Sequence, residues 1–287
     1  MEFLLFGAKL RNLGTDYIQP GIRSMHPLIT SHQNPKIKHV LSLEKPRERS
    51  RERQFVFEGV REVSLAHRYG YKIVSLFFCP DIISREEATA LVQDDRLLLP
   101  VEHSVFSKIA YREGTEGVVA VAEQKVHTLD KLKLSATPLV LILEGVEKPG
   151  NLGAMLRTAD AAHIDAVIVC DSKTDLYNPN VVRSSVGCIF TTQTAVATPD
   201  EVMQWLKTER INAFVTDLQG AVPYHTVDFT SRAAIVMGTE STGISEGWRE
   251  FSTSRIIIPM RGAIDSLNVS NAAAIVVFEA ARQRGFS

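Results

Sequence analysis

The chain has 287 residues, of which 45% are apolar and 23% charged, and its formal net charge is −1. That length suits one large domain or two ordinary ones. The near-neutral balance excludes a uniformly basic nucleic-acid-binding protein, so any polyanion site has to be a local patch. Cys79, Cys170 and Cys188 are far apart and form no CxxC or Cys/His ligand spacing, which argues against a disulfide framework or a zinc site and fits a reducing cytoplasm.

The first ten residues, "MEFLLFGAKL", hold an apolar run with no preceding basic residue, too short for a signal-peptide core or a membrane span. Residues 1–24 read as an irregular extension. Then comes a strongly basic stretch. Between Asn34 and Lys72 ten Lys/Arg face five Glu, a local charge of +5. Its "EKPRERSRER" interleaves Glu with Arg, as a solvated helix face does, so composition alone leaves a wet face and a polyanion contact evenly matched. Strand patterns follow at 72–78 ("KIVSLFF"), 95–100 ("DRLLLP") and 117–123 ("GVVAVAE"), with helical patterns near 59–69, 84–93 and 102–110. The polar segment 127–138, ending in Pro138, reads as a linker between residues 25–126 and 139–287.

From 139 onward, apolar bursts alternate with helices. The bursts are 139–146, 166–170, 213–218, 233–238 and 255–259, and the helices lie near 151–162, 178–186, 199–209 and 244–251. Short Val/Ile/Leu runs without alternation predict strands buried on both faces, which means an α/β architecture with a parallel sheet covered by helices. Ligands of such sheets bind at the carboxyl ends of the strands. The polar clusters "EKPGNLG", "TDLQGA", "GTESTG" and "PMRGAIDSLN" fall there.

Three of these stretches carry candidate chemistry. In "NLGAMLRTAD" (151–160), Asn151 and Gly153 open a helix and Arg157 follows, so the helix amides and a guanidinium can hold an anion; a capped helix with a surface arginine explains the same residues. In "GTESTGIS" (238–245) the spacing of Gly238 and Gly243 is that of a P-loop, but no Lys-Ser/Thr follows, which excludes the Walker reading. The glycines are expected to let backbone approach a ligand, and Glu240 between them needs a hydrogen-bond partner if buried. In the stretch after Pro259, Ser266, Asn268 and Ser270 precede a helix that is apolar nearly all round from Ala272 to Ala281. One cap needs one such residue, and a helix apolar on every face is expected to be buried on every face. No GxGxxG, GxSxG or HExxH pattern occurs.

Together "NLGAMLRTA", "VMGTESTGIS" and "IPMRGAIDSLNVSNAAAIVVFEAARQR" resemble, in order and spacing, the three motifs of the SpoU/TrmH branch of the SPOUT methyltransferases, over about residues 139–285. Residues 31–63 are similar, less specifically, to the RNA-substrate-binding domain that often precedes that fold. The resemblance implies a deep C-terminal trefoil knot, which would enclose the apolar last helix, and a smaller α/β RNA-binding domain ahead of it. It implies S-adenosylmethionine held by Thr216, Leu218, Gly238, Gly243, Ile258 and Leu267, with Arg157, Asn151, Glu240, Ser266 and Asn268 acting on a ribose 2′-hydroxyl. Thr239 and Ser241 depart from the Asn/Ser and Gly common in the family, and both are small. A guanidinium is a permanent cation, so orienting hydroxyl and phosphate suits Arg157 at least as well as acting as base. The implied substrate is RNA, ribosomal RNA ahead of tRNA, and the implied assembly a homodimer without a metal or a membrane. Lys36, Lys38, Arg47, Arg49, Arg51 and Arg53 are the candidate phosphate contacts. A non-catalytic ribosome-assembly factor keeping the fold is the alternative from another class.

Overall fold

A computed structural model of the chain describes residues 26–111, 116–171, 174–239, 241–264 and 266–286. The extension 1–24 and Glu240 lie outside them.

The first half forms a four-stranded sheet of β1 (Gln54–Glu58), β2 (Ile73–Phe78), β3 (Leu98–Pro100) and β4 (Val118–Glu123) in the order β1-β4-β2-β3. Only the β2–β3 pair is parallel. Alternate residues face opposite ways along a strand. Val56, Phe77, Leu99, Val119 and Val121 therefore pack on α1 (Pro35–Ser42) and α5 (His103–Ile109). Phe55, Phe57, Leu76 and Ala120 face α3 (Val60–Arg68) and α4 (Arg85–Val92). A second short helix, α2 (Pro46–Glu52), carries the "PRERSRE" run. The sequence patterns did not anticipate β1. Its five residues sit inside the basic stretch, and its partner β4 lies more than 60 residues on.

The second half is a seven-stranded sheet, parallel at every pair. Its strands are β5 (Leu139–Glu144), β6 (Ala166–Cys170), β7 (Thr194–Ala197), β8 (Asn212–Thr216), β9 (Val222–Pro223), β10 (Ala233–Met237) and β11 (Ser254–Ile257), in the order β7-β6-β5-β10-β8-β11-β9. The five expected bursts are all strands. The two extra ones, β7 and β9, are the sheet's edges, where a Thr/Ala segment and a two-residue piece suffice because only one neighbour has to be satisfied. On one face Leu141, Leu143, Val167 and Ile235 pack with α6 (Pro149–Ala161), α7 (Pro179–Ser185), α8 (Cys188–Thr191) and α11 (Val269–Gln283). On the other, Ile142, Ile168 and Val236 pack with α9 (Pro199–Glu209) and α10 (Glu246–Phe251).

The segment 127–138 is packed rather than free, because Leu129, Leu132 and Leu134 lie on the second face of the large sheet. The two halves also share core. Phe55 meets the Tyr177 ring at 4.2 Å and Phe57 meets Phe190 at 5.0 Å. Among the described residues no helix is long and apolar enough to cross a membrane.

The expectation that α11 is buried on every face is not met among the described residues. Ala273, Val276, Val277 and Ala280 are buried, but Ile275 and Phe278 stay 36% and 42% exposed on the outer side.

Candidate active site

β10 is inserted between β5 and β8, so the loops leaving β8, β10 and β11 converge at one end of the sheet. Such a change of strand order opens a crevice at the carboxyl ends. Here the crevice is a cavity of about 700 Å³, within the range that holds a cofactor-sized ligand. Thr216, Leu218, Gly238, Gly243, Ile258 and Leu267 all line it, as do Ser266 and Asn268.

The loops after β8 and β10 are tied by hydrogen bonds of their own. Thr216 Oγ1 donates to the Val236 carbonyl at 3.0 Å, tying the end of β8 to β10. After β10 the chain folds back on itself: the Thr239 amide donates to the Gly243 carbonyl at 2.9 Å, and the Thr242 amide to Thr239 Oγ1 at 2.9 Å. Thr239 thus uses its hydroxyl to close the loop, which accounts physically for that departure. Gly243 has φ +71°, and a Cβ on Gly238 would sit 2.4 Å from the Gly243 carbonyl carbon. Gly238 is needed for the loop to fold on its own backbone, and it also lines the cavity.

Two carboxylates were not anticipated. Glu144, buried at the end of β5, accepts from the Ser245 amide at 2.9 Å and anchors the far end of the β10 loop. Asp217, its side chain 5% exposed, accepts from Arg249 Nε at 2.8 Å and lines the cavity. Burial alone would raise its pKa, but Arg249 and the Gln219 and Leu218 amides outweigh that and hold it below the usual carboxylate range. The only sequence signal was an Asp directly after a strand; its partner is 32 residues away. Lys148, just ahead of α6, also lines the cavity.

Asn268 answers for part of the small polar cluster. Its Oδ1 caps α11 by accepting from the Ser270 amide at 2.9 Å and the Ser270 hydroxyl at 2.6 Å. Its Nδ2 donates to Asn151 Oδ1 at 3.3 Å, so the first and third motifs meet at the cavity rim. Gly153 permits the packing beneath, since a Cβ there would fall 1.9 Å from Ser184 Oγ on α7. Arg157 is exposed on α6 and is not among the residues that wall the cavity.

Residues 138–278 match the model of the SpoU rRNA Methylase family, and residues 34–120 that of the MRM3-like substrate binding domain. The chain is 32% identical to a 23S rRNA (uridine(2479)-2′-O)-methyltransferase of Streptomyces viridochromogenes, over 82% of this chain and 85% of that protein. The chain belongs to the SpoU rRNA methylase family. A second member, the 23S rRNA (guanosine(2553)-2′-O)-methyltransferase RlmP of Bacillus subtilis, is 30% identical over 87% of this chain and 97% of its own. The fold of this SpoU methylase chain is similar to the crystal structure of an AdoMet-bound rRNA methyltransferase from Sinorhizobium meliloti, with a TM-score of 0.83, 31% identity, and coverage of 90% of this chain and 98% of that one.

In the N-terminal part of this SpoU methylase chain, Lys36, Lys38, Arg47 and Arg53 are exposed. Arg51 is exposed too, but pairs with Glu48 and, at 2.8 Å, Glu52. Arg49 has to be withdrawn as a phosphate contact. It is 1% exposed, and its guanidinium is consumed internally by the Leu43 and Glu44 carbonyls at 2.8 and 2.7 Å and by the Asp175 carboxylate across the seam between the halves.

Proposed function

We propose that the protein transfers a methyl group from S-adenosylmethionine to a ribose 2′-hydroxyl of ribosomal RNA. The observation that carries the reading is the convergence of the β8, β10 and β11 loops on one cavity, with Asn151 and Asn268 joined at its rim. The residues fit the cofactor chemically. Ile244, Ile258 and Leu267 offer apolar walls, the loop backbones offer polar groups, and Asp217 is a fixed anion.

When bound, S-adenosylmethionine supplies an activated methyl and its own leaving group, so the chain need contribute only position, proton removal and electrostatics. Arg157, a permanent cation, holds the 2′-hydroxyl and the neighbouring phosphate in line. Asn151, Glu240, Ser266 and Asn268 complete the hydrogen-bonding shell around the reacting oxygen. Thr216, Leu218, Gly238, Gly243, Ile258 and Leu267 hold the cofactor.

The working assembly is a homodimer with the C-terminal segment tied in a trefoil knot. Two observations support the dimer: among the described residues the apolar outer strip of α11 at Ile275 and Phe278 stays exposed, and Arg157 is not part of the wall of its own cavity. In support of the knot, β10 lies between two earlier strands, and α11 lines the same cavity through Val269, Ala272 and Val276. Residues 25–126 form the RNA-binding unit, with Lys36, Lys38, Arg47, Arg51 and Arg53 facing phosphates, and 139–287 the methyltransferase, joined through 127–138. The protein works in the cytoplasm without a metal. Incubation with labelled cofactor and rRNA, followed by nucleoside mapping, is expected to place the label on one 2′-O position. Label on tRNA alone, or cofactor binding with no transfer to any RNA, overturns the reading. A sedimenting monomer with full activity removes the dimer.

A further inference from the structure

The basic arm offers fewer free cations than its composition suggests, because Arg49 is buried and Arg51 is paired. A second phosphate grip lies nearer Arg157, where the two halves meet. A narrow cleft runs between β1 and α7, walled by Phe57, Glu58, Glu62, Tyr111, Val182 and Arg183. Gly187, beside α8, packs against Glu62 and Leu65 of α3, which brings α3 against α8.

Along this seam the carboxylates are tied by hydrogen bonds, although Glu116 and Asp160 stay exposed. Glu62 is buried. Glu58 accepts from the Tyr111 amide at 2.6 Å, Glu116 accepts from the Val60 amide at 2.6 Å, and Asp160 accepts from the Thr191 hydroxyl. The cations point outward. Arg61, 62% exposed, keeps only a long 3.9 Å contact with the buried Glu62, and Arg183 and Arg157 are exposed on α7 and α6. Tyr111 is 43% exposed, with the Arg183 guanidinium 5.5 Å from its ring centroid. Cys188, at the start of α8, is within electrostatic reach of both Arg157 and Arg61. Burial and Asp160 push its thiol up to about 11 while Arg157 and Arg61 both pull against that.

We infer that this seam is the grip on substrate RNA, with Arg61 and Arg183 on consecutive phosphates and Tyr111 under an unpaired base, delivering the next ribose to Arg157. The inference rests on the rRNA-methyltransferase reading and adds to it the path of the strand. An outward guanidinium row along a polyanion supplies affinity. An exposed ring backed by an arginine and fixed through its own amide is a stacking platform for a splayed base. The substrate is therefore single-stranded at the target, a loop or bulge rather than a continuous helix.

The test uses the full chain with three RNA probes: protein-free 23S rRNA, a short oligouridylate and a perfect RNA duplex of equal length. Arg61→Ala/Arg183→Ala is expected to flatten the salt dependence of oligouridylate binding by about 1.4 in slope, roughly 0.7 for each phosphate lost. S-adenosylmethionine affinity by calorimetry stays unchanged, which shows the fold is intact. Tyr111→Ala is expected to weaken oligouridylate binding about tenfold and leave duplex binding alone, with Tyr111→Phe close to wild type. An unchanged slope in the double variant, while wild type methylates rRNA, overturns the seam and leaves the functional reading standing. Equal losses on duplex and single strand in Tyr111→Ala overturn the stacking role. If wild type methylates no RNA yet the seam variants lose oligouridylate binding as expected, the functional reading fails and the RNA seam stands.

Discussion

Replacing Arg49 separates a structural cation from an RNA contact. Its Nη1 donates to two carbonyls and its Nε and Nη2 to Asp175, with the side chain 1% exposed. In Arg49→Ala the buried Leu43 carbonyl loses its donor, which costs about 1–3 kcal/mol. The Glu44 carbonyl and Asp175 are partly exposed and regain water, so they add less. The emptied volume around the buried stem adds a packing loss. The sum is roughly 3–5 kcal/mol, a large part of the about 5–15 kcal/mol that holds a protein folded. Urea unfolding is expected to show the midpoint falling with the slope unchanged. Asp175→Asn is expected to cost less, because the amide oxygen still accepts from the guanidinium. RNA binding by the folded fraction should keep its salt slope. A loss of stability under about 1 kcal/mol combined with a slope reduced by one phosphate contact would return Arg49 to the RNA surface and refute the reasoning.

Gly238→Ala drives a methyl into the Gly243 backbone, so the β10 loop must open; S-adenosylmethionine binding should weaken by about tenfold or more, the 1–3 kcal/mol of an overpacked site, and wild-type affinity in calorimetry would contradict this. Arg157→Ala should abolish methyl transfer to rRNA while calorimetric cofactor affinity stays near wild type, because Arg157 does not wall the cavity; near-normal turnover at saturating RNA would remove its catalytic role. Burial lowers the pKa of His127, against the smaller opposing pull of the Thr194 carbonyl, and its ring nitrogens bond Tyr177 Oη at 2.6 Å and Thr194 Oγ1 at 2.7 Å. A lowered folded pKa means that the unfolded chain takes up the proton first, so this contribution is complete above about pH 6.5 and is lost as the pH falls through the folded value. Thermal melts of wild type should therefore decline below about pH 6.5 more steeply than those of His127→Asn, and parallel curves would count against the linkage.

The architecture of the large sheet was legible because buried parallel strands write themselves as uninterrupted apolar runs, and β5, β6, β8, β10 and β11 each did so. The cavity residues were legible for a related reason. Strand-end loops of a parallel sheet gather at one edge whatever the intervening helices do, so Thr216, Gly238 and Ile258 were bound to be neighbours once the strands were aligned. What stayed hidden depended on partners far along the chain. β1 exists because β4 pairs with it. Arg49 is buried because Asp175, 126 positions later, closes over it. Asp217 is a fixed anion only because Arg249 reaches it. The sequence shows that the last helix is apolar nearly all round but not which face stays open: the sheet and α6 cover one side, and Ile275 and Phe278 are left outward. Local pattern is set by each residue's own chemistry, so one chain read in order reveals it. Burial and charge pairing belong to pairs of residues, and only the folded chain brings those pairs together.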